Sequence, residues 1–486
     1  MIGVYMSITI EEMAVFCKKK GFVYPSSEIY GGVAGFWDFG PLGVELFNNI
    51  KSSFWKFFVN SRDNMVGIEA SIISHPKTWV ASGHVANFSD VAVTCKKCKF
   101  STKIDKSEVG KVKCEKCGSE YEVKGEFSLM FKTKIGALDS VDAYLRGETA
   151  QGMFLDFKSI TDTARVKLPF GILQIGRCFR NEIAPRDFLF RSREFNIGEF
   201  EFFIHPKQFT CDLITKEQLG MKIPLLSSET QDAGKDELKM TSISDMIKAK
   251  KLDEWHAYWL AEQVKWYLSL GIDIKNLKIR EHTKSELSHY SSATFDVDYL
   301  YPFGSKELGG IANRGQYDLN QHIKASSKDL SMFDEETKEK IIPRVIEPTF
   351  GMERAFLAVI CEAYEYDKKR ENVVLHLHPK LAPYKVAVFP LMKKDGMDEF
   401  AKKLHDELKK DITSFYDVSG SIGRRYARQD EIGTPYCITV DYDSLKNKDV
   451  TIRDRDSTEQ KRIKVKDVKE TLRKLLNQEI DFKSLK

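Results

Sequence analysis

Two apolar runs, GILQIG at 171–176 and EFNIGEFEFF at 194–203, flank the polar, proline-containing segment NEIAPRD at 181–187. Strands joined by such a loop form an antiparallel pair. The connecting stretch, FRNEIAPRDFLFRSREF at 179–195, holds four arginines, three carboxylates and four phenylalanines. That mixture is too charged for a core and too aromatic for an ordinary solvated loop. A fold built on it must bring guanidinium groups and aromatic faces together on neighbouring extended segments.

Guanidinium forks at Arg180, Arg186, Arg191 and Arg193 suit phosphate oxygens, Phe195 offers a flat face to a base, and Glu182 can accept a hydrogen bond from an amino group. Together these describe a nucleotide. The competing reading is a surface ladder in which Arg and Glu neutralise one another. The sequence has no G-x4-G-K-[ST] loop and no G-x-G-x-x-G between a strand and a helix, so phosphates would be held by side chains.

Residues 41–58 read as a helix with Pro41 in its first turn and Leu42, Leu46, Ile50, Phe54 and Phe58 down one face. IIPRVIEPTFGMERAFLAVICEAY at 341–364 reads as a short strand ending at Glu347, a break at Pro348, then a helix burying Phe356, Val359, Ile360 and Ala363. Residues 205–255 read as a polar, irregular insertion. From 381 the pattern becomes a small α/β domain: strands at KVAVFP, CITV and VTIRD, a helix marked by Phe400, Leu404, Leu408 and Ile412, and another by Val468, Leu472, Leu475 and Leu476.

Cys95, Cys98, Cys114 and Cys117 form two C-x2-C pairs, the spacing of a zinc ribbon, in which each turn offers two thiolates to one tetrahedral ion. Four thiolate ligands imply a structural ion that supplies folding energy to an apolar-poor segment. The other five cysteines read as small buried hydrophobes. Residues 95–124 hold nine lysines against five acids, and 382–486 hold 23 basic against 19 acidic residues, so basic appendages flank a slightly acidic body. Such asymmetry fits a polyanionic partner, although solvated lysine-rich faces are commonplace. No apolar run approaches the ~20 residues of a membrane helix, and MIGVYMSITIEEMAVF lacks secretory or transit features, so a cytoplasmic location without membrane contact is expected.

Several blocks then point one way. GFWDFGPLGVELFNNIK (35–51), FRNEIAPR with RSREF, and VIEPTFGMER (345–354) resemble the three motifs of a class II aminoacyl-tRNA synthetase, the first being its dimer-forming helix. WVASGHVANFSD (79–90), RGETAQG (146–152), HYSSATFDVDYLYPFG (289–304) and ELGGIANRGQYDL (307–319) are similar to blocks of the dimeric glycyl-tRNA synthetase family, and SGSIGRRYARQDEIGTPYCITVDYD (419–443) and VTIRDRD (450–456) to its anticodon-binding domain. ASGH at 81–84 and KMTS at 239–242 are chance near misses to signatures of the other synthetase class.

The resemblance implies an α+β fold: an antiparallel-sheet catalytic domain (1–94 and 125–380), a zinc-ribbon insertion (95–124) and an anticodon-binding domain (381–486). It implies a homodimer acting on glycine, ATP and glycine tRNA, with Zn²⁺ as structural ion and Mg²⁺ accompanying ATP. By resemblance, Arg180 touches the α-phosphate and Arg354 the outer phosphates, assisted by Arg191 or Arg193. Phe195 stacks on adenine, Glu182 reads its amino group and Glu307 holds Mg²⁺. Asn181, Phe190, Ser192, Glu194, Leu308, Gly351, Met352 and Glu353 complete the ATP contacts.

For glycine the resemblance marks Glu148, Glu199 and Glu347 as acids facing the ammonium group, Arg314 as counter to the carboxylate, and Phe195, Asn196, Ile197, Gly198, Pro348 and Thr349 as neighbours. The family usually has Ser where this chain has Thr349. A pocket that fits only hydrogen rejects larger side chains by overlap and needs no editing site. Arg424, Arg425 and Arg428 would share one side of a helix and grip tRNA backbone. The alternative is a catalytically inactive nucleic-acid-binding protein on the same scaffold, similar to the mitochondrial DNA polymerase accessory subunit. Such a protein has no reason to retain the nucleotide residues.

Overall fold

The computed structural model describes residues 8–104, 109–288, 291–335 and 337–485. Parts of the expected N-terminal, ribbon and HYSSATFDVDYLYPFG segments lie outside these residues. The strands flanking the arginine stretch belong to a nine-stranded sheet. Along the chain its strands are β1 (Met65–Gly67), β2 (Phe170–Phe179), β3 (Glu194–Ile204), β4 (Lys222–Leu226) and β5 (Lys239–Ser242). They continue with β6 (Leu277–Glu281), β7 (Ala293–Tyr301), β8 (Gly304–Gly315) and β9 (Arg344–Gly351). The spatial order is β5-β4-β6-β7-β8-β9-β3-β2-β1, antiparallel except at β1–β2 and β4–β6. This is the expected α+β class.

Because side chains alternate along a strand, β3 serves two environments. Phe200 and Phe202 face the main core, their rings 4.7 and 4.8 Å from that of Trp259. The other side carries Phe195, Ile197, Glu199, Glu201 and Phe203, running from an open cavity into a second apolar cluster around Phe154, Phe157 and Phe170.

Helices Ile10–Lys20 and Ile243–Lys248 contribute to the main core, and three others fill most of it. Helix α1 (Pro41–Trp55) starts with proline in its first turn, continues as a π-turn through Asn60, and buries Leu46, Ile50, Phe54 and Phe58 as its spacing predicts. Helix α3 (Met352–Ala363) follows β9 directly. Between them, α2 (Glu254–Ser269) is capped by Asp253 and buried on nearly all sides, including Trp255, Trp259 and Trp266. A helix without a polar face belongs in a core. Its Gln263 donates to the carbonyls of Gly310 and Thr349, both at 3.1 Å, and so fixes β8 and β9 from behind. Only glycine fits at 309, where a Cβ would lie 2.5 Å from both the Thr349 carbonyl oxygen and the Tyr267 hydroxyl.

Two expectations about the main sheet fail. Pro348 does not break its strand, since β9 runs on to Gly351. Its missing N–H falls where pairing with β3 is interrupted, between Glu199↔Thr349 and Phe202↔Ile346, while β8 still places Ile311 opposite it. Nor is 205–255 irregular: β4 and β5 extend the main sheet, with short helices Lys216–Gly220, Ser228–Asp232 and Ile243–Lys248 around them. The strands are short and β5 forms the sheet's edge, where Lys239 and Met240 are exposed.

Strands Ser89–Cys95, Ser101–Ile104 and Tyr121–Ser128 pair antiparallel as a small separate sheet over Val91, Val93 and Ile104, reaching beyond the expected 95–124 limits. At the C-terminal end, β10 (Val386–Pro390), β11 (Ser414–Tyr416), β12 (Tyr436–Val440), β13 (Asp449–Asp454) and β14 (Gln460–Lys464) form a mixed sheet ordered β11-β10-β12-β13-β14. Helices Met397–Leu408 and Val468–Leu476 cover it with the expected apolar positions, except that Ile412 lies past the first helix.

Candidate active site

Two cavities open over the side of β3 that bears Glu199. One, of about 340 Å³, is lined by residues of the arginine stretch together with Gly351, Glu353 and Arg354. The other, of about 490 Å³, is lined by Glu148, Glu199, Arg314, Glu347 and Thr349. Phe88, Arg180, Glu307 and Thr349 line both, so the two are arms of one site meeting at Arg180.

In the first arm the Arg180 guanidinium lies 5.2 Å from the Phe88 ring and 5.4 Å from the Phe195 ring, and its Nε donates to the Gly147 carbonyl at 3.1 Å. Arg354 lies over Phe190 at 4.5 Å and pairs with Glu307 at 3.0 Å. That guanidinium holds the Glu307 carboxyl below its usual range. Glu182 is buried and sits 3.2 Å from Lys103 of the ribbon. Arg191, buried Ser192, Asn196 and Ile197 also line this arm. Glu353, beneath it, accepts from the Asn196 backbone and side-chain nitrogens, both at 2.7 Å, and burial pushes its carboxyl up to about 7.

Other residues expected to contact ATP or glycine lie elsewhere. The Arg193 guanidinium bonds the carbonyls of Glu182 (3.0 Å) and Ala34 (2.9 Å) outside both cavities, so it braces the loop, leaving Arg191 as the second guanidinium of the stretch on the cavity wall. Arg186 pairs with Glu115 of the ribbon at 3.5 Å. Glu194 pairs with Arg177 at 2.6 Å, and Asn181 is exposed. Leu308 and Met352 belong to the core, Pro348 is buried, and Gly198 packs against Phe54 and Met352.

In the second arm, Glu199 accepts from the Thr149 hydroxyl (2.6 Å) and backbone nitrogen (3.1 Å) and from the Thr349 hydroxyl (2.9 Å). Burial and the charge of Glu148 raise its pKa. Against a burial penalty, the His84 ring, 3.1 Å from Glu148, and the Arg314 charge hold Glu148 well below the usual carboxylate range. Arg314 was expected to face a substrate carboxylate. Instead its guanidinium grips Asp318 through two bonds of 2.8 Å and donates to Glu347 at 2.6 Å, so it orients an acid.

Residues 385–475 match the anticodon binding domain family. Over 471 residues the chain is 43% identical to the glycine–tRNA ligase of Borrelia hermsii (strain HS1 / DAH), spanning 95% of this chain and 96% of that protein. The chain belongs to the glycine–tRNA ligase family. Another glycine–tRNA ligase, from Geobacillus thermodenitrificans (strain NG80-2), is 44% identical over 501 residues, spanning 96% of this chain and 98% of its own. The crystal structure of prolyl-tRNA synthetase from Cryptosporidium parvum complexed with L-proline and AMP superimposes with a TM-score of 0.59. At 14% identity over 97% of this chain and 76% of that one, the likeness is one of fold.

Within this glycine–tRNA ligase family member, several cavity residues carry no local sequence signal. His84 belongs to the ASGH segment, whose partner Glu148 is remote in sequence. Lys103 arrives from the ribbon. Arg280, His282 and Asp296 form a polar wall of the second arm, His282 lying 2.9 Å from Asp296. Glu201 sits behind Glu347, outside the cavity lining.

The four ribbon sulfurs lie within 4.8 Å of one another, with Cys95–Cys117 at 3.4 Å and Cys98–Cys114 at 3.6 Å. A tetrahedral ion with metal–sulfur bonds of ~2.3 Å sets such separations, so the cluster fits one metal ion. On helix α4 (Ile422–Asp430), the three arginines do not share a face. Arg424 is exposed and Arg428 is held by Asp417 and by the Ser419 carbonyl at 2.6 Å. Arg425 is buried, donating to the carbonyls of Pro390 (2.6 Å), Asp417 (3.3 Å) and Leu391 (3.3 Å). Adjacent helical residues point about 100° apart, so Arg425 faces inward when Arg424 faces out. Among the described residues no helix is long and apolar enough to cross a membrane.

Proposed function

We propose that the protein activates glycine with ATP and transfers it to the 3′ end of glycine tRNA. The observation that carries this reading is the junction at Arg180 of a cavity lined by guanidinium and aromatic groups with one lined by buried carboxylates. The first suits a nucleoside triphosphate, the second a small cationic amine.

Activation joins a glycine carboxylate oxygen to the α-phosphorus and breaks the bond to pyrophosphate. No protein nucleophile is needed, so the residues act by positioning and by charge. Arg180, at the junction, faces both the α-phosphate and the attacking carboxylate and neutralises the charge that builds between them. Arg354 and Arg191 hold the outer phosphates, Phe195 supports adenine, and Glu182 accepts from its amino group. Glu148, Glu199 and Glu347 surround the ammonium, with Arg314 and Thr349 fixing the last two. In the second step a ribose hydroxyl of the tRNA attacks the glycyl carbonyl and AMP leaves.

Glu307, whose carboxylate faces the phosphate arm, would hold Mg²⁺, which neutralises phosphate oxygens when bound. Cys95, Cys98, Cys114 and Cys117 would hold Zn²⁺ to brace the ribbon. Exposed Ile29, Tyr30, Val33 and Val44, on and before α1, support a homodimer through the first-motif region. Exposed Arg424 and partly exposed Arg428 remain candidates for tRNA backbone contact. A cytoplasmic site of action fits the activity.

Glycine-dependent ATP–pyrophosphate exchange is the test. Arg180→Ala should lower it by about 10²–10³ with folding retained. Exchange driven by a different amino acid, or none at all, would sink the reading.

A further inference from the structure

Glu201 lies on β3 two residues beyond Glu199, and the register of Glu199↔Thr349 and Phe202↔Ile346 sets it opposite Glu347 of β9. It is 0% exposed, and among the described residues neither of its carboxylate oxygens has a hydrogen-bond partner. Oxygens of Glu199, Glu201 and Glu347 lie within 4.8 Å of one another. The charged groups facing Glu201 are Glu199 on its own strand, Glu347 on β9, Arg314 on β8 and Asp318 on the helix Tyr317–Ser326, while β2 presents Ile172. Arg314 is the cation of this set, and its guanidinium already grips Asp318 and Glu347.

Full ionisation would leave Glu201 a buried charge with no hydrogen-bond donor among the described residues, which is costly, and carboxylates this close disfavour one another's ionisation. Glu347 takes a hydrogen bond from Arg314; Glu201 takes none among the described residues. We propose that Glu201 carries a proton and releases it to solvent when the ammonium of glycine enters the second arm. The inference rests on the reading of that arm as the glycine site. Glu201 does not line the cavity and acts through Glu347, as a positioning residue. The carboxyl O–H breaks, the proton leaves to buffer, and the new carboxylate charge is matched by the arriving ammonium. Burial and the mutual charge of the acids, which keep both carboxyls well above the usual range, agree with a proton retained near neutrality.

The test is calorimetric titration of glycine into the full-length protein at pH 7, in phosphate and in Tris. The expected result is a buffer-dependent heat corresponding to about one proton released, with affinity tightening by up to about ten-fold per pH unit between pH 6 and 8. Glu201→Gln, a neutral replacement, should bind glycine with equal heats in both buffers, match the wild type near pH 6 and fall behind it as pH rises. Glycine binding by the wild type with identical heats in the two buffers overturns the proposal and leaves the activity standing. So does release of the same proton on titration with Mg²⁺ alone. No glycine binding by the wild type overturns the glycine reading and this inference together. Should the variant fold poorly, the wild-type heats and pH profile decide.

Discussion

Lys103, on a strand of the cysteine-rich ribbon, sits 3.2 Å from Glu182 at the wall of the arginine-lined cavity and also pairs with Asp90. The ribbon thus touches the arginine stretch, which it meets again at Arg186–Glu115. Stripping the metal should loosen the strand that carries Lys103 and raise the KM for ATP several-fold, with a smaller change for glycine. Lys103→Met should do the same with the metal content of the wild type. Metal analysis alongside exchange kinetics checks both, and a metal-free protein with an unaltered KM for ATP would count against the coupling.

Thr349 donates to Glu199 at 2.9 Å, and losing a hydrogen bond to a buried charged acceptor costs ~1–3 kcal/mol. Thr349→Val should therefore raise the KM for glycine about ten-fold or more and leave that for ATP near its original value. Thr349→Ser keeps the donor and should behave like the wild type. Steady-state exchange with each substrate varied separates the outcomes.

Arg425 and Arg424 should respond in opposite ways. Arg425→Ala strips a donor from three carbonyls and should lower the melting temperature of the C-terminal domain by several degrees. Arg424→Ala should leave melting unchanged, weaken tRNA binding modestly and reduce its salt dependence. Calorimetric melting and binding across a salt series distinguish the two.

Glu353 provides a pH signature of stability. Its folded-state value, about 7, lies above that of an exposed carboxyl, so the folded protein binds this proton more tightly than the unfolded chain does. Its contribution is therefore full in acid and fades as pH climbs through about 7. Urea unfolding between pH 5 and 8 should show that decline, and Glu353→Gln should flatten it.

Much of this was legible in the sequence because it is local. The alternation in EFNIGEFEFF gave the strand, and the four-residue apolar spacing from Leu42 to Phe58 gave the helix. The C-x2-C pairs gave a cluster that brings four sulfurs within reach of one ion. What escaped depends on tertiary pairing. Glu199 and Glu201 look alike in sequence, yet Glu199 is bound by two threonines and Glu201 is left beside Glu347. Arg314 has the same chemistry whether it meets a substrate or Asp318. The helix at 254–269 lacks the polar stripe that marks an amphipathic segment, and β4 and β5 are too short to stand out from their polar surroundings.

The single-sided row on β3 from Phe195 to Phe203 also makes the protein intolerant of misassembly. Sliding that strand one position against its neighbours would thrust both acids among the tryptophans of α2 and turn Phe200 and Phe202 onto the side that now carries Glu199 and Glu201. A slipped register would bury charge and lose the acid-lined arm together, so misregistered protein should be unstable rather than partly active.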